Sequence, residues 1–155
     1  MRIVIRAHGR MGRSPERDLT DDYLRRAQGL ARGVGLLGVE EQQVEARGHS
    51  DRTTQTRALL DGLPDGCVTV ILDERGQNLT SVEMSRRIAG WRDDGVGTLV
   101  LVVGPADGFD PDLLPKGPRW SLGSQTWPHK LLRVMLAEQV FRSLSILAGT
   151  PYHRP

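Results

Sequence analysis

Two stretches of the chain are apolar almost without interruption, Cys67-Val68-Thr69-Val70-Ile71-Leu72 and Thr98-Leu99-Val100-Leu101-Val102-Val103. Each is too short for a helix and rich in β-branched residues, so each reads as a strand that must be covered on both faces. That requirement admits few folds. A sheet buried on both sides needs helices above and below it, and the intervening segments supply them. Ser14 followed by Pro15 starts a helix over 15–31. Asp51 caps one reaching Leu60, and Thr80 with Glu83 has the spacing of a capping box for a helix over 81–93. Residues 2–7 form a further strand, 36–46 a weaker and partly exposed one, and Arg47-Gly48-His49-Ser50 a turn. The alternation predicts an α/β fold with a mainly parallel sheet flanked by helices, in a single domain over 1–155.

The last part of the chain has its own character. After Pro115-Lys116-Gly117-Pro118 comes the short run Arg119-Trp120-Ser121-Leu122, then Gly123-Ser124-Gln125-Thr126-Trp127-Pro128 and a helix over 129–147. That helix is apolar around most of its circumference. A domain of 155 residues has little volume to enclose it, which points to a homodimer. The chain holds 21 Lys plus Arg against 19 Asp plus Glu, a net charge of +2, yet residues 115–155 carry +5 and leave −3 for the rest. A basic end on a mildly acidic body suits a polyanion. One cysteine, Cys67, excludes an internal disulfide, and no apolar run approaches the roughly 20 residues of a membrane span. A cytoplasmic protein, with no membrane association, is expected.

Several chemistries drop out. Gly33-Val34-Gly35-Leu36-Leu37-Gly38 matches G-x-G-x-x-G, but a helix precedes it where a dinucleotide fingerprint needs a strand. No G-K-[ST] or G-x-S-x-G occurs, and His8, His49, His129 and His153 are too dispersed for a metal site. What remains are the glycine- and proline-bearing loops Asp73 to Gly76, Gly104 to Gly108 and Leu122 to Pro128, each following a strand. Ligands of open parallel sheets bind at such carboxyl ends. A cleft of main-chain amides and carbonyls suits a polar heteroaromatic cofactor such as an adenosine derivative.

Trp120-Ser121-Leu122, Thr126-Trp127-Pro128-His129, Arg133-Val134, Glu138-Gln139-Val140-Phe141-Arg142, Ile146 and Tyr152-His153-Arg154 closely resemble the C-terminal signature of the ribosomal large subunit methyltransferase H family. Those are small SPOUT-class enzymes that methylate a pseudouridine of large-subunit rRNA. The likeness extends to Tyr23-Leu24-Arg25-Arg26 and to Leu72, Asp73 and Gly76. It implies a C-terminal trefoil knot, a homodimer, and S-adenosyl-L-methionine as cofactor, bound by Leu72, Gly104, Leu122, Gly123, Ser124, Gln125, Thr126 and Trp127. It also implies methylation at N3 of a pseudouridine in 23S rRNA within the assembled ribosome. His153 and His129 are then the candidate bases, and Arg10, Arg13, Arg133, Arg142, Tyr152 and Arg154 the candidate RNA contacts, Tyr152 by stacking on a base. The family commonly has a second glycine after Gly104. Here Pro105 follows and removes one backbone donor from that wall. Two other readings share the basic tail: a noncatalytic RNA- or ribosome-binding module, and a SPOUT methyltransferase acting at another RNA position.

Overall fold

The computed structural model describes residues 1–46 and 51–154, so the expected turn at 47–50 lies outside the described residues. Strands β1 (Arg2–His8), β2 (Gly38–Val44), β3 (Val68–Asn78), β4 (Thr98–Val103) and β5 (Arg119–Ser121) form one sheet in the order β2-β1-β4-β3-β5, and every pairing is parallel. Helices α1 (Pro15–Ala31), α2 (Arg52–Leu60), α3 (Ser81–Asp93) and α4 (His129–Leu147) connect and cover it. The helix starts are built as their residues predict. Ser14 accepts the amide of Arg17, Asp51 accepts that of Thr54, and Thr80 and Glu83 close a reciprocal capping box.

The unbroken apolar runs conceal an alternation. Val70, Leu72, Leu99, Leu101 and Val103 face a large cluster with residues of α1, α3 and α4, including Ala27, Ile88, Leu136 and Leu144. Ile71, Val100 and Val102 face the other way, toward Leu59 of α2 and toward Phe109 and Leu114. The sheet is therefore a middle layer, and its central strand β4 has no exposed side. Gly33 to Gly38 connects α1 to β2 through a short 3-10 turn, Arg32–Val34.

Two expectations change. The segment Asp73 to Gly76, read as a free loop, belongs to β3, which runs on to Asn78. Its partner is β5, paired at Leu72–Trp120 and, after an irregularity, at Gln77–Trp120 and Asn78–Ser121. The strands approach so closely there that a Cβ on Gly76 would lie 2.6 Å from the carbonyl carbon of Trp120. An extension built on a strand more than 40 residues away leaves no local signal. The second change concerns α4. The single chain already buries Val134, Leu136, Ala137, Val140, Phe141 and Leu144, because α1 and α3 flank the helix above the sheet. What stays uncovered is a narrower set, Leu131 at 36% exposure with Met135 half-buried beside it.

Because backbone atoms stand opposite Gly76, Gly76→Ala must part β3 from β5. Chemical denaturation of the variant is expected to show a loss of about 2 kcal/mol. An unchanged midpoint would mean that the two strands separate freely.

Candidate functional site

At the carboxyl ends of β4 and β5, beside the middle of β3, lies a cleft of about 680 Å³, within the range of sites for small ligands. Its walls are Leu72 to Arg75, Gly104 to Phe109, Arg119 to Gly123, and Gln125 to His129 with Leu132. Seven of the eight residues expected at a cofactor meet here: Leu72, Gly104, Leu122, Gly123, Gln125, Thr126 and Trp127. Ser124 is exposed and does not line it. Apolar side chains such as Leu72, Phe109, Leu122 and Leu132 share this surface with the charged Asp73, Glu74, Arg75, Asp107 and Arg119. Gly104 is packed so tightly that a Cβ would sit 2.7 Å from the Phe109 ring. Pro105 opens a turn, its carbonyl accepting the amide of Gly108 at 3.0 Å, while Ser121 donates to the carbonyl of Gly123 at 2.7 Å and shapes the opposite loop. Phe109 and the Asp73–Arg119 ion pair, 3.9 Å apart, also stand in the wall. Sequence reasoning missed Phe109, whose only signal is an aromatic residue five places beyond Gly104.

The amino end of α4 closes the cleft with His129. Burial above all, then the neighbouring Arg133 and more weakly His8, push its imidazole below the ordinary value of 6.5, and the carbonyl of Gly104 only partly opposes them. Its Nε2 is buried with no hydrogen-bond partner among the described residues. One turn along the helix, Arg133 is 1% exposed. Its Nε and Nη2 donate to Glu41 at 3.0 and 2.6 Å, and its Nη1 donates to the carbonyl of Gly9 at 3.0 Å. Arg17 of α1 reaches the other oxygen of Glu41 at 2.5 Å. Arg133, expected at the RNA, is therefore committed to the interior: a buried guanidinium with three hydrogen bonds to two acceptors has no face left for a phosphate. Its contact with Gly9 instead places the loop carrying Arg10 and Arg13. That loop is pinned again where Gln43 accepts the amide of Met11 at 2.9 Å. Arg13 is exposed, and Arg10 is exposed beside Glu45 at 3.4 Å.

The C-terminal tail lies elsewhere. Tyr152 donates its hydroxyl to Glu138 at 2.9 Å and packs on Phe141 with ring centroids 4.6 Å apart. Arg142 is bound to the same carboxylate and half-buried. His153 keeps its Nδ1 buried without a partner among the described residues, and Arg154 is exposed. Glu138 lies nine residues beyond His129 on a straight helix, a separation of about 13 Å along its axis. One chain thus brings the expected cofactor residues together but does not bring the tail to them. No three His, Cys, Asp or Glu side chains gather to hold a metal ion among the described residues, and no helix is long and apolar enough to cross a membrane.

The sequence places this parallel-sheet chain in a class of enzyme. The chain matches the family described as "Predicted SPOUT methyltransferase" over residues 1–153. It is 47% identical over 155 residues to "Ribosomal RNA large subunit methyltransferase H" of Hyphomonas neptunium, with 99% of each chain covered. The proteins of that name from Roseobacter denitrificans and Maricaulis maris are 47% and 46% identical over the same length, again with 99% coverage. The chain belongs to the ribosomal RNA large subunit methyltransferase H family of SPOUT methyltransferases.

Replacing Glu41 by Gln strands the Arg133 guanidinium without its charge partner. Denaturation should show a loss of about 3 kcal/mol, whereas a change below about 1 kcal/mol would mean that water takes over the contact. His129 generates a pH signature. Folding disfavours its protonated form, so the unfolded chain binds more protons below pH 6.5. The resulting stability is complete above that value and is lost as pH falls toward and through the depressed folded value. A His129→Gln variant should show a shallower drop in Tm between pH 7 and 5 than the unaltered protein, and parallel curves would refute a neutral buried imidazole.

Proposed function

We propose that this protein uses S-adenosyl-L-methionine to methylate N3 of a pseudouridine in 23S rRNA on the assembled ribosome, as a cytoplasmic homodimer. The observation that carries the reading is the convergence of the loops after β4 and β5 with the middle of β3 into one cleft, in a chain of this family. The residues present fit such a cofactor. Leu72, Leu122 and Leu132 offer an apolar bed for a heteroaromatic base, with peptide groups of 104–108 and 122–127 for its polar edge. Asp73 places a carboxylate in the wall, which favours a cationic ligand.

When bound, S-adenosyl-L-methionine supplies an electrophilic methyl group. The chain's own part is to orient the substrate nitrogen and to receive the imide proton it must lose. His129 is neutral at pH 7 because burial disfavours its charge, so it stands in the wall as a proton acceptor. His153 in the tail is the second candidate. Arg10, Arg13 and Arg154 are exposed cations for rRNA phosphates, and Arg142 and Tyr152 serve RNA by holding the tail.

The separation of tail and cleft within one chain supports the dimer, in which a second copy would bring its tail to the first copy's site. A groove of about 630 Å³ supports it, lined by Leu79, Met84, Trp120, Leu122 and Met135 beside the free edge of β5. The trefoil knot belongs to the same reading. Its support is the route after β4, where Asp110 is tied to Thr53 and Thr56 of α2 before the chain reaches β5 and turns into α4 on the other face.

Mass mapping of rRNA from a strain lacking the gene tests the assignment. Loss of one methyl group from a pseudouridine, restored by the gene in trans, is expected. An intact methylated pseudouridine with a methyl missing elsewhere would assign the enzyme to another RNA position. Light scattering should give twice the chain mass, and a stable monomer would overturn the shared site.

A further inference from the structure

Beyond this reading, and resting on it, we propose that Glu138 and Arg26 are positioning residues for rRNA methylation: they lock Tyr152, and the lock sets where His153 and Arg154 leave the domain. The hydroxyl of Tyr152 shares the Oε1 atom of Glu138 with Arg142, which donates to it from Nε at 2.9 Å and Nη2 at 2.5 Å. The other oxygen of Glu138 accepts from Gln139 at 2.7 Å, and Gln139 in turn accepts from Ser81 of α3 at 2.8 Å. Both carboxylate oxygens are engaged, so the acceptor cannot swing away from the phenol.

The ring is held as firmly as its hydroxyl. Arg142 lies over it with the guanidinium carbon 4.6 Å from the centroid, and Arg26 of α1 lies 5.1 Å away. Arg26 also sits 4.1 Å over Phe141, which itself packs on Tyr152, and its charge is shared with Asp22 at 3.7 Å. Cations over aromatic faces are favourable, the more so where water is partly excluded. Burial first, and then the bond to Glu138, keep the phenol well above its ordinary pKa, so it remains a donor throughout the physiological range. A ring covered by two guanidinium groups and a phenyl group is an anchor and not a platform for a base, which changes the role expected of Tyr152.

The chain on either side of the anchor is equally constrained. Gly149 and Thr150 donate their amides to Ile146 and Ser145, reversing the chain after α4, and Pro151 stiffens the approach. Past Tyr152, two residues span at most about 7 Å, so fixing the anchor fixes the reach of Arg154. Terminal segments ordinarily fray. This one is tied to α1, α3 and α4 at once. Glu138 and Arg142 also wall the groove proposed for the second copy, so one carboxylate registers the tail against the partner's seat.

The experiment uses the full-length dimer and ribosomes from a strain lacking the gene, comparing Glu138→Gln, Arg26→Met and the conservative Arg26→Lys. The affinity for S-adenosyl-L-methionine by calorimetry should be unchanged in all three, and the dimer mass unchanged in both Arg26 variants. Single-turnover methylation should fall about tenfold in Glu138→Gln and Arg26→Met, the scale of one charge-assisted contact, and be largely retained in Arg26→Lys. Hydrogen exchange should rise in the peptide covering 148–154 alone. Wild-type turnover despite faster tail exchange would overturn the proposal, as would loss of turnover accompanied by exchange that rises throughout the domain. Failure of the unaltered protein to methylate ribosomes would instead refute the functional reading on which the proposal rests.

Discussion

A carboxylate on an edge strand, with an arginine on each side of it, ties that strand to two helices and to the loop after β1. Glu41 belongs to β2, Arg17 to α1 and Arg133 to α4, and Arg133 continues to the main chain of Gly9. Removing these groups from water is costly, and the cost is offset only because the geometry is close and the remaining polar atoms find partners. The cleft depends on the outcome. With Arg133 held in place, the first turn of α4 and its His129 close one wall of the cleft. Through the same side chain, the loop bearing Arg10 and Arg13 is fixed beside that wall. One buried contact thus registers the small-ligand site against a basic surface suited to a polyanion.

The cleft itself arises from the order of strands. β5 adds to β3 at the sheet edge, so the loops after β4 and β5 open on one side, against the middle of β3. Close approach of main chains is the means. Gly76 lets β5 lie against β3, and Gly104 lets the Phe109 ring fold over the end of β4. The two positions look alike in sequence, each a glycine shortly after an apolar strand. One is embedded in a strand pairing and the other in the wall of the site.

Much of the scaffold was legible because its signals are local. Helix starts follow from Ser14-Pro15, Asp51 and the Thr80–Glu83 pair, whose side chains satisfy amides two or three residues away. The central strands follow from their apolar runs, and the residues that line the cleft from the loops and the family resemblance. The errors share a cause. The extension of β3, the burial of Arg133 and the covering of the Tyr152 ring all depend on residues 40 or more positions distant. Nothing in Arg133-Val134 distinguishes an arginine destined for Glu41 from one facing phosphate, because the distinction lies in β2.

By itself the sequence determined the α/β class, the helix boundaries and the composition of the loops, since capping, periodicity and glycine placement act over a few residues. Its resemblance to a family supplied the expected chemistry. Tertiary structure decided which charges face solvent and which are spent inside. It decided that most of α4 is enclosed within one chain, and that the tail folds back on Glu138 away from its own cleft. Those outcomes turn on desolvation and on contacts between distant segments, which no local pattern encodes. A charged side chain goes where a partner can offset the loss of water, and the fold alone determines where that partner stands.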